Sequence, residues 1–66
     1  MQFDFGKGLV NAHRHINGMG LVADTAFVAD TAFVADTALV FGNARVSGNA
    51  LVFENAQVFE DMLVFE

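Results

Sequence analysis

Residues Ala23 to Val64 read ADTAFV, ADTAFV, ADTALV, FGNARV, SGNALV, FENAQV, FEDMLV, seven six-residue units that each close on a valine. The valines fall at Val22, Val28, Val34, Val40, Val46, Val52, Val58 and Val64, and the same phase reaches back to Ile16 and Val10 before it breaks at Asp4. In a helix, residues six apart are separated by about 240°, so Phe27, Phe33 and Leu39 would scatter over three faces and no apolar stripe would form. In a strand side chains alternate sides, and because six is even every valine keeps the same side from unit to unit. The period therefore selects all-β structure.

Within a unit, Ala26 to Ala29 reads as a short strand, with Ala26 and Val28 directed inward and Phe27 and Ala29 outward. Asp30 and Thr31 then form a corner. Later corners place Gly42-Asn43, Gly48-Asn49 and Glu54-Asn55 there, and glycine and asparagine accept the positive φ of a tight turn. Alanine at the second inward position (Ala26, Ala32, Ala38, Ala44, Ala50, Ala56) suits a narrow core shared with one valine per side. Asp-Thr is the poorer corner pair, and its threefold repetition has no explanation at this level.

Sixty-six residues make one small domain, near the size at which a single core needs further support. Cysteine is absent, which excludes disulfides and thiolate metal sites as that support and leaves stacking or oligomerisation. No apolar run is long enough to span a membrane and MQFDFGKG lacks the pattern of a signal peptide, so a soluble, cytoplasmic chain is expected. Charge is uneven. Residues 1–20 set Lys7 and Arg14 against Asp4, a net of +1, whereas residues 21–66 set seven carboxylates against Arg45, a net of −6. An acidic body of this kind repels nucleic acid and attracts basic protein sites, or else keeps an apolar repeat in solution.

A single unit buries too little to stand alone, so neighbours must stack with backbones about 4.8 Å apart. VADTAF, VFGNAR and VSGNAL resemble the hexapeptide-repeat, left-handed parallel β-helix family, with its aliphatic residue, turn residues and small residue. The resemblance implies a short β-solenoid of about three triangular coils, with three hexapeptides per coil and residues eighteen apart in register. Residues 1–9 are then an N-terminal strand or cap, and residues 10–66 the β-helix. Three core columns follow: Val10, Val28, Val46, Val64; Ile16, Val34, Val52; and Val22, Val40, Val58. Both ends would present open strand edges, with Met62 in place of alanine plugging the C-terminal one and a backbone bulge keeping Arg14 out of the core.

The outward positions beside the columns are apolar. Leu21, Leu39, Phe41 and Phe59 lie on one side and Phe33, Leu51 and Phe53 on the next, a surface suited to self-association as a dimer or trimer unless the N-terminal segment folds back over one face. The carboxylates Asp24, Asp30, Asp36, Glu54, Glu60 and Asp61 fall on corners, with Asp24 near Glu60 and Asp61, Asp36 beside Glu54, and Asp30 in line with Glu66. Rows of negative charge on a small rigid rod are similar to the small phage-encoded DNA mimics of the anti-CRISPR or anti-restriction type. That likeness implies a partner protein with a basic nucleic-acid-binding site, in a host cytoplasm.

His13 and His15 are the only histidines. Two apart on a strand, they would face the same way and could share a metal, an arrangement similar to the His-x-His tip of trimeric phage spikes, although here it stands near the N-terminus. Hexapeptide-repeat acyltransferases use one histidine as general base, for which His15 is the candidate, but the inserted loop and extra domain of those enzymes are absent. No glycine-rich phosphate loop opens a helix. The expectation is a non-enzymatic binding protein without cofactor, an acidic inhibitor occupying a nucleic-acid site; the alternatives are an oligomerisation module of a phage spike or fibre and, remotely, an acyltransferase-like fragment.

Overall fold

The computed structural model describes residues 1–65, all of them in strands, turns and loops. Among the described residues ten short strands follow one another: β1 (Gln2–Asp4), β2 (Leu9–Arg14), β3 (Leu21–Ala23), β4 (Phe27–Val28), β5 (Phe33–Val34), β6 (Leu39–Val40), β7 (Arg45–Val46), β8 (Leu51–Val52), β9 (Gln57–Val58) and β10 (Leu63–Val64). From β4 onward each strand sits on the last two residues of a hexapeptide, where an outward residue precedes an inward valine. No helix among the described residues is long and apolar enough to cross a membrane.

Pairing from β3 onward is parallel and skips two strands each time, giving the sheets β3-β6-β9, β4-β7-β10 and β5-β8. The register joins Val22 to Val40 to Val58, Val28 to Val46 to Val64, and Val34 to Val52, eighteen residues per step. Between successive levels an amide donates to the carbonyl seventeen residues ahead. Phe27 N reaches Ala44 O at 2.9 Å, Ala35 N reaches Val52 O at 2.7 Å and Ser47 N reaches Val64 O at 2.9 Å. Regular backbone satisfaction of this kind lets two-residue strands persist, because no single strand is long enough to hold itself.

The core lies inside these three sheets. Val22, Val34, Val40 and Val46 are fully buried with Ala32, Ala38 and Ala44 between them. Burying a valine side chain contributes about 1.5 kcal/mol or more, and alanine is the largest partner that a core this narrow admits. Toward the ends the pattern loosens. Ala26 is half-buried and Ala56 exposed, and Met62, expected to plug the C-terminal end, is 42% exposed and fills no core.

The N-terminal third departs from the repeat. Val10 stands opposite Phe3 in an antiparallel ribbon of β1 and β2, and β2 pairs antiparallel with β3, His13 facing Val22. Val10 is thus outside the first core column, and Ile16, 78% exposed, is outside the second. The cause is Arg14. Keeping the hexapeptide phase would put its guanidinium into a valine and alanine core with no countercharge. The antiparallel ribbon instead leaves it exposed, donating through Nη1 to Met19 O at 3.1 Å, so the expected bulge within a coil does not form. Asp4 secures the ribbon's turn by accepting from Gly6 N at 2.7 Å and Gly8 N at 3.1 Å.

The loop from His15 to Gly20 then crosses the end of the stack. Gly20 N donates to Val34 O at 2.8 Å and Val34 N donates to Asn17 O at 3.0 Å. A Cβ on Gly20 would lie 2.1 Å from Val34 Cγ1, so only glycine permits this approach. The N-terminal end is therefore closed over β3 by β2 and over β5 by this loop, not open as expected.

Candidate functional site

The corners come in two kinds, which settles why Asp-Thr recurs. At Asp24-Thr25, Asp30-Thr31 and Asp36-Thr37 neither central residue takes a positive φ, and Ala26, Ala32 and Ala38 donate back to Ala23, Ala29 and Ala35 at 2.9, 3.0 and 2.9 Å, as in type I turns. One level further on, the corners begin with a residue at positive φ, Gly42 at 70°, Gly48 at 65° and Glu54 at 60°, and Glu60, a level beyond Gly42, follows at 57°. The threonines link the two kinds. Thr25 Oγ1 donates to Gly42 O and Thr31 Oγ1 to Gly48 O, both at 2.6 Å, and Thr37 Oγ1 donates to Glu54 O. One level made of three Asp-Thr corners is thus tied at each corner to the level above it.

This geometry places the acidic residues. Asp24, Asp30, Asp36, Glu54, Glu60 and Asp61 are all exposed. Asp24 shares a corner with Gly42 and, one level on, Glu60 and Asp61, where Asn43 N donates to Glu60 O at 2.9 Å; Asp36 shares a corner with Glu54. The expected alignment of Asp30 with Glu66 lies outside the described residues. Among the described residues one carboxylate meets a basic side chain: Asp24 Oδ1 accepts from His13 Nδ1 at 2.6 Å.

The two histidines do not converge. His13 is exposed against Asp24, whereas His15 is 4% exposed with Nε2 donating to Ala32 O at 2.8 Å. β2 ends at Arg14, so His15 belongs to the loop and no longer alternates with His13 as it would on a strand. A buried imidazole that donates to a main-chain carbonyl fastens the loop to the stack. Among the described residues no three histidine, aspartate or glutamate side chains gather as metal ligands would.

The apolar surface is divided. Leu21 is buried, Leu39, Phe41, Phe59 and Phe33 are half-buried, and Leu51 and Phe53 are exposed, as are Phe27, Leu63 and Phe65 around β4, β7 and β10. The ribbon causes the difference. Phe5 stacks on Phe41 at 4.9 Å, Phe41 on Phe59 at 5.5 Å, and Phe3 meets Phe5 edge-on at 4.7 Å, all within the range of favourable aromatic pairs. The N-terminal segment thus covers part of the face outside β3, β6 and β9, leaving a cleft of about 440 Å³ between ribbon and sheet.

Neither this stack nor the threonine ties were anticipated, although both left a trace in the chain. Ala23 occupies the column position that Phe41 and Phe59 fill on later levels, a gap into which a ribbon aromatic can settle. Thr25, Thr31 and Thr37 each stand seventeen residues before the corner residue whose carbonyl they reach. Neither a protein-family model nor a curated protein nor a solved structure matches this chain, so its surfaces speak through their own geometry alone.

Proposed function

We propose that the chain is a non-enzymatic binding protein, a short left-handed parallel β-helix whose acidic corners occupy the basic nucleic-acid-binding site of a partner protein in the cytoplasm. One observation carries this reading. Six carboxylates stand exposed on the corners of a backbone-paired stack, and among the described residues only Asp24 is paired with a basic side chain. Carboxylates held on a rigid scaffold with no lysine or arginine beside them keep their field for an external cation, and such fields steer association with basic surfaces. The eighteen-residue register supports the three-sided coil, with corners repeated at strand spacing along the stack.

Capture of partners from host extract tests the reading. A bound partner should be released by duplex DNA and by raised salt, and the triple variant Asp30→Lys, Asp36→Lys, Glu54→Lys should fail to retain it. Retention by the triple variant would falsify the acidic-mimic assignment.

A second reading, a structural oligomerisation module, draws on a separate observation. Phe27, Leu51, Phe53, Leu63 and Phe65 remain exposed on the two faces that the ribbon does not reach. Apolar residues in such density mark an interaction surface, and in this reading the carboxylates serve only to hold the assembly in solution.

A further inference from the structure

Apart from Glu60, which is also one of the acidic corners, the cleft between the N-terminal ribbon and the face of β3, β6 and β9 plays no part in either reading above. Its floor is the pair Phe41 and Phe59, whose rings lie 13° from parallel, and Phe5 and Val10 form the wall on the ribbon side. The seat of the ribbon is built into the column that runs Ala23, Phe41, Phe59: a third phenylalanine at Ala23 would occupy the ground that Phe5 takes beside Phe41, whereas alanine leaves room for it. At about 440 Å³ the cleft falls within the range of small-molecule sites, which are mostly apolar with a few polar groups at fixed points.

Two charged residues line it, Lys7 from the ribbon's turn and Glu60 from a corner above. They are opposite in sign and do not pair with each other. Lys7 is thus free to meet a carboxylate and Glu60 an ammonium, while Phe41, whose two faces are taken by Phe5 and Phe59, meets an aromatic group edge-on. We propose that the cleft binds a small aromatic zwitterion, with its ring against Phe41 and Phe59, its carboxylate toward Lys7 and its ammonium toward Glu60. A free aromatic α-amino acid is the simplest molecule with these features. A ligand without the ring forgoes the floor, and one lacking either charge leaves Lys7 or Glu60 unanswered.

Titration of the ¹⁵N-labelled chain with L-phenylalanine, phenethylamine, phenylacetate and L-alanine tests the proposal. L-phenylalanine should give saturable shifts confined to the amides around Phe5, Ala23, Phe41 and Phe59. Phenethylamine and phenylacetate should each bind about tenfold more weakly, for want of one charge-assisted contact, and L-alanine should produce no shift. Lys7→Gln should erase the advantage of L-phenylalanine over phenethylamine, and Glu60→Gln its advantage over phenylacetate. Phe59→Ala should abolish binding; if that variant does not fold, Phe59→Leu keeps the bulk without the ring and should weaken binding at least tenfold. Absence of saturable shifts at millimolar L-phenylalanine overturns the site. Equal binding of L-phenylalanine and phenethylamine overturns the role of Lys7. Shifts in the same residues that follow protein concentration without ligand would make the cleft an interface between copies, which also overturns the proposal.

Discussion

Glu54 and Glu60 hold corner positions at φ of 60° and 57°, where the other corners of this kind use glycine, Gly42 at 70° and Gly48 at 65°. A side chain in that region costs about 1 kcal/mol relative to glycine. Glu54→Gly and Glu60→Gly should therefore each raise stability by about 1 kcal/mol in urea unfolding, and alanine at the same positions should give no such gain. The threonine ties act in the opposite direction. Thr31→Val removes the donor to Gly48 O and should cost about 0.5–1.5 kcal/mol, whereas Thr31→Ser should restore most of it. A loss in Thr31→Ser with none in Thr31→Val would instead assign the effect to packing of the methyl group. At this scale the chain's chemistry was half legible. Gly42 and Gly48 announce positive φ by their identity, but a glutamate in the same conformation gives no local sign. It follows the corner because the level beneath holds its carbonyl, through Thr37 for Glu54 and the Asn43 amide for Glu60.

The ribbon and the loop from His15 to Gly20 are the elements that end the repeat. β2 supplies the edge partner that β3 lacks, and the loop supplies Asn17 O and Gly20 N to Val34. Closing a sheet edge removes a template for uncontrolled strand addition. Gly20→Ala should push the loop away from Val34 and lower stability by about 1–3 kcal/mol, the usual cost of overpacking. Loss of amide protection at Val34 in hydrogen exchange would localise the damage, and an unchanged exchange rate there would contradict the capping role. The valine phase concealed these elements. Val10 and Ile16 match the six-residue spacing by position, yet one pairs antiparallel with Phe3 and the other points to solvent. What distinguishes them is their company: Arg14 and Gly20 stand where the later units have alanine, and a narrow core accepts neither a guanidinium nor a gap.

Across the whole molecule, the part from Leu21 onward was readable because period, strand alternation and register all derive from one repeated spacing. Its surface was less so, since the cover provided by β1 and β2 depends on a fold-back that no periodicity encodes. That cover leaves Phe65, Leu51, Leu63, Phe27 and Phe53 as the most exposed large apolar residues of the stack among those described. If these faces assemble, sedimentation at micromolar concentration should give a mass above one chain, and Leu51→Asp with Leu63→Asp should return it to 7.1 kDa. A single-chain mass for the unaltered protein would dismiss assembly through them. The eighteen-residue register has a further consequence, a genetic one. Units 23–28, 29–34 and 35–40 are near-identical, and gains or losses of different length among them differ in outcome. Loss of one unit, such as 29–34, keeps every valine inward while turning all later residues by a third of a coil, so Ala23 would be followed in its column by Ser47 and Phe65 instead of Phe41 and Phe59. Gain of eighteen residues lengthens the rod and leaves each column intact. The stack thus has a reading frame of its own, three hexapeptides long, within which copy number can drift while the outer surface keeps its meaning.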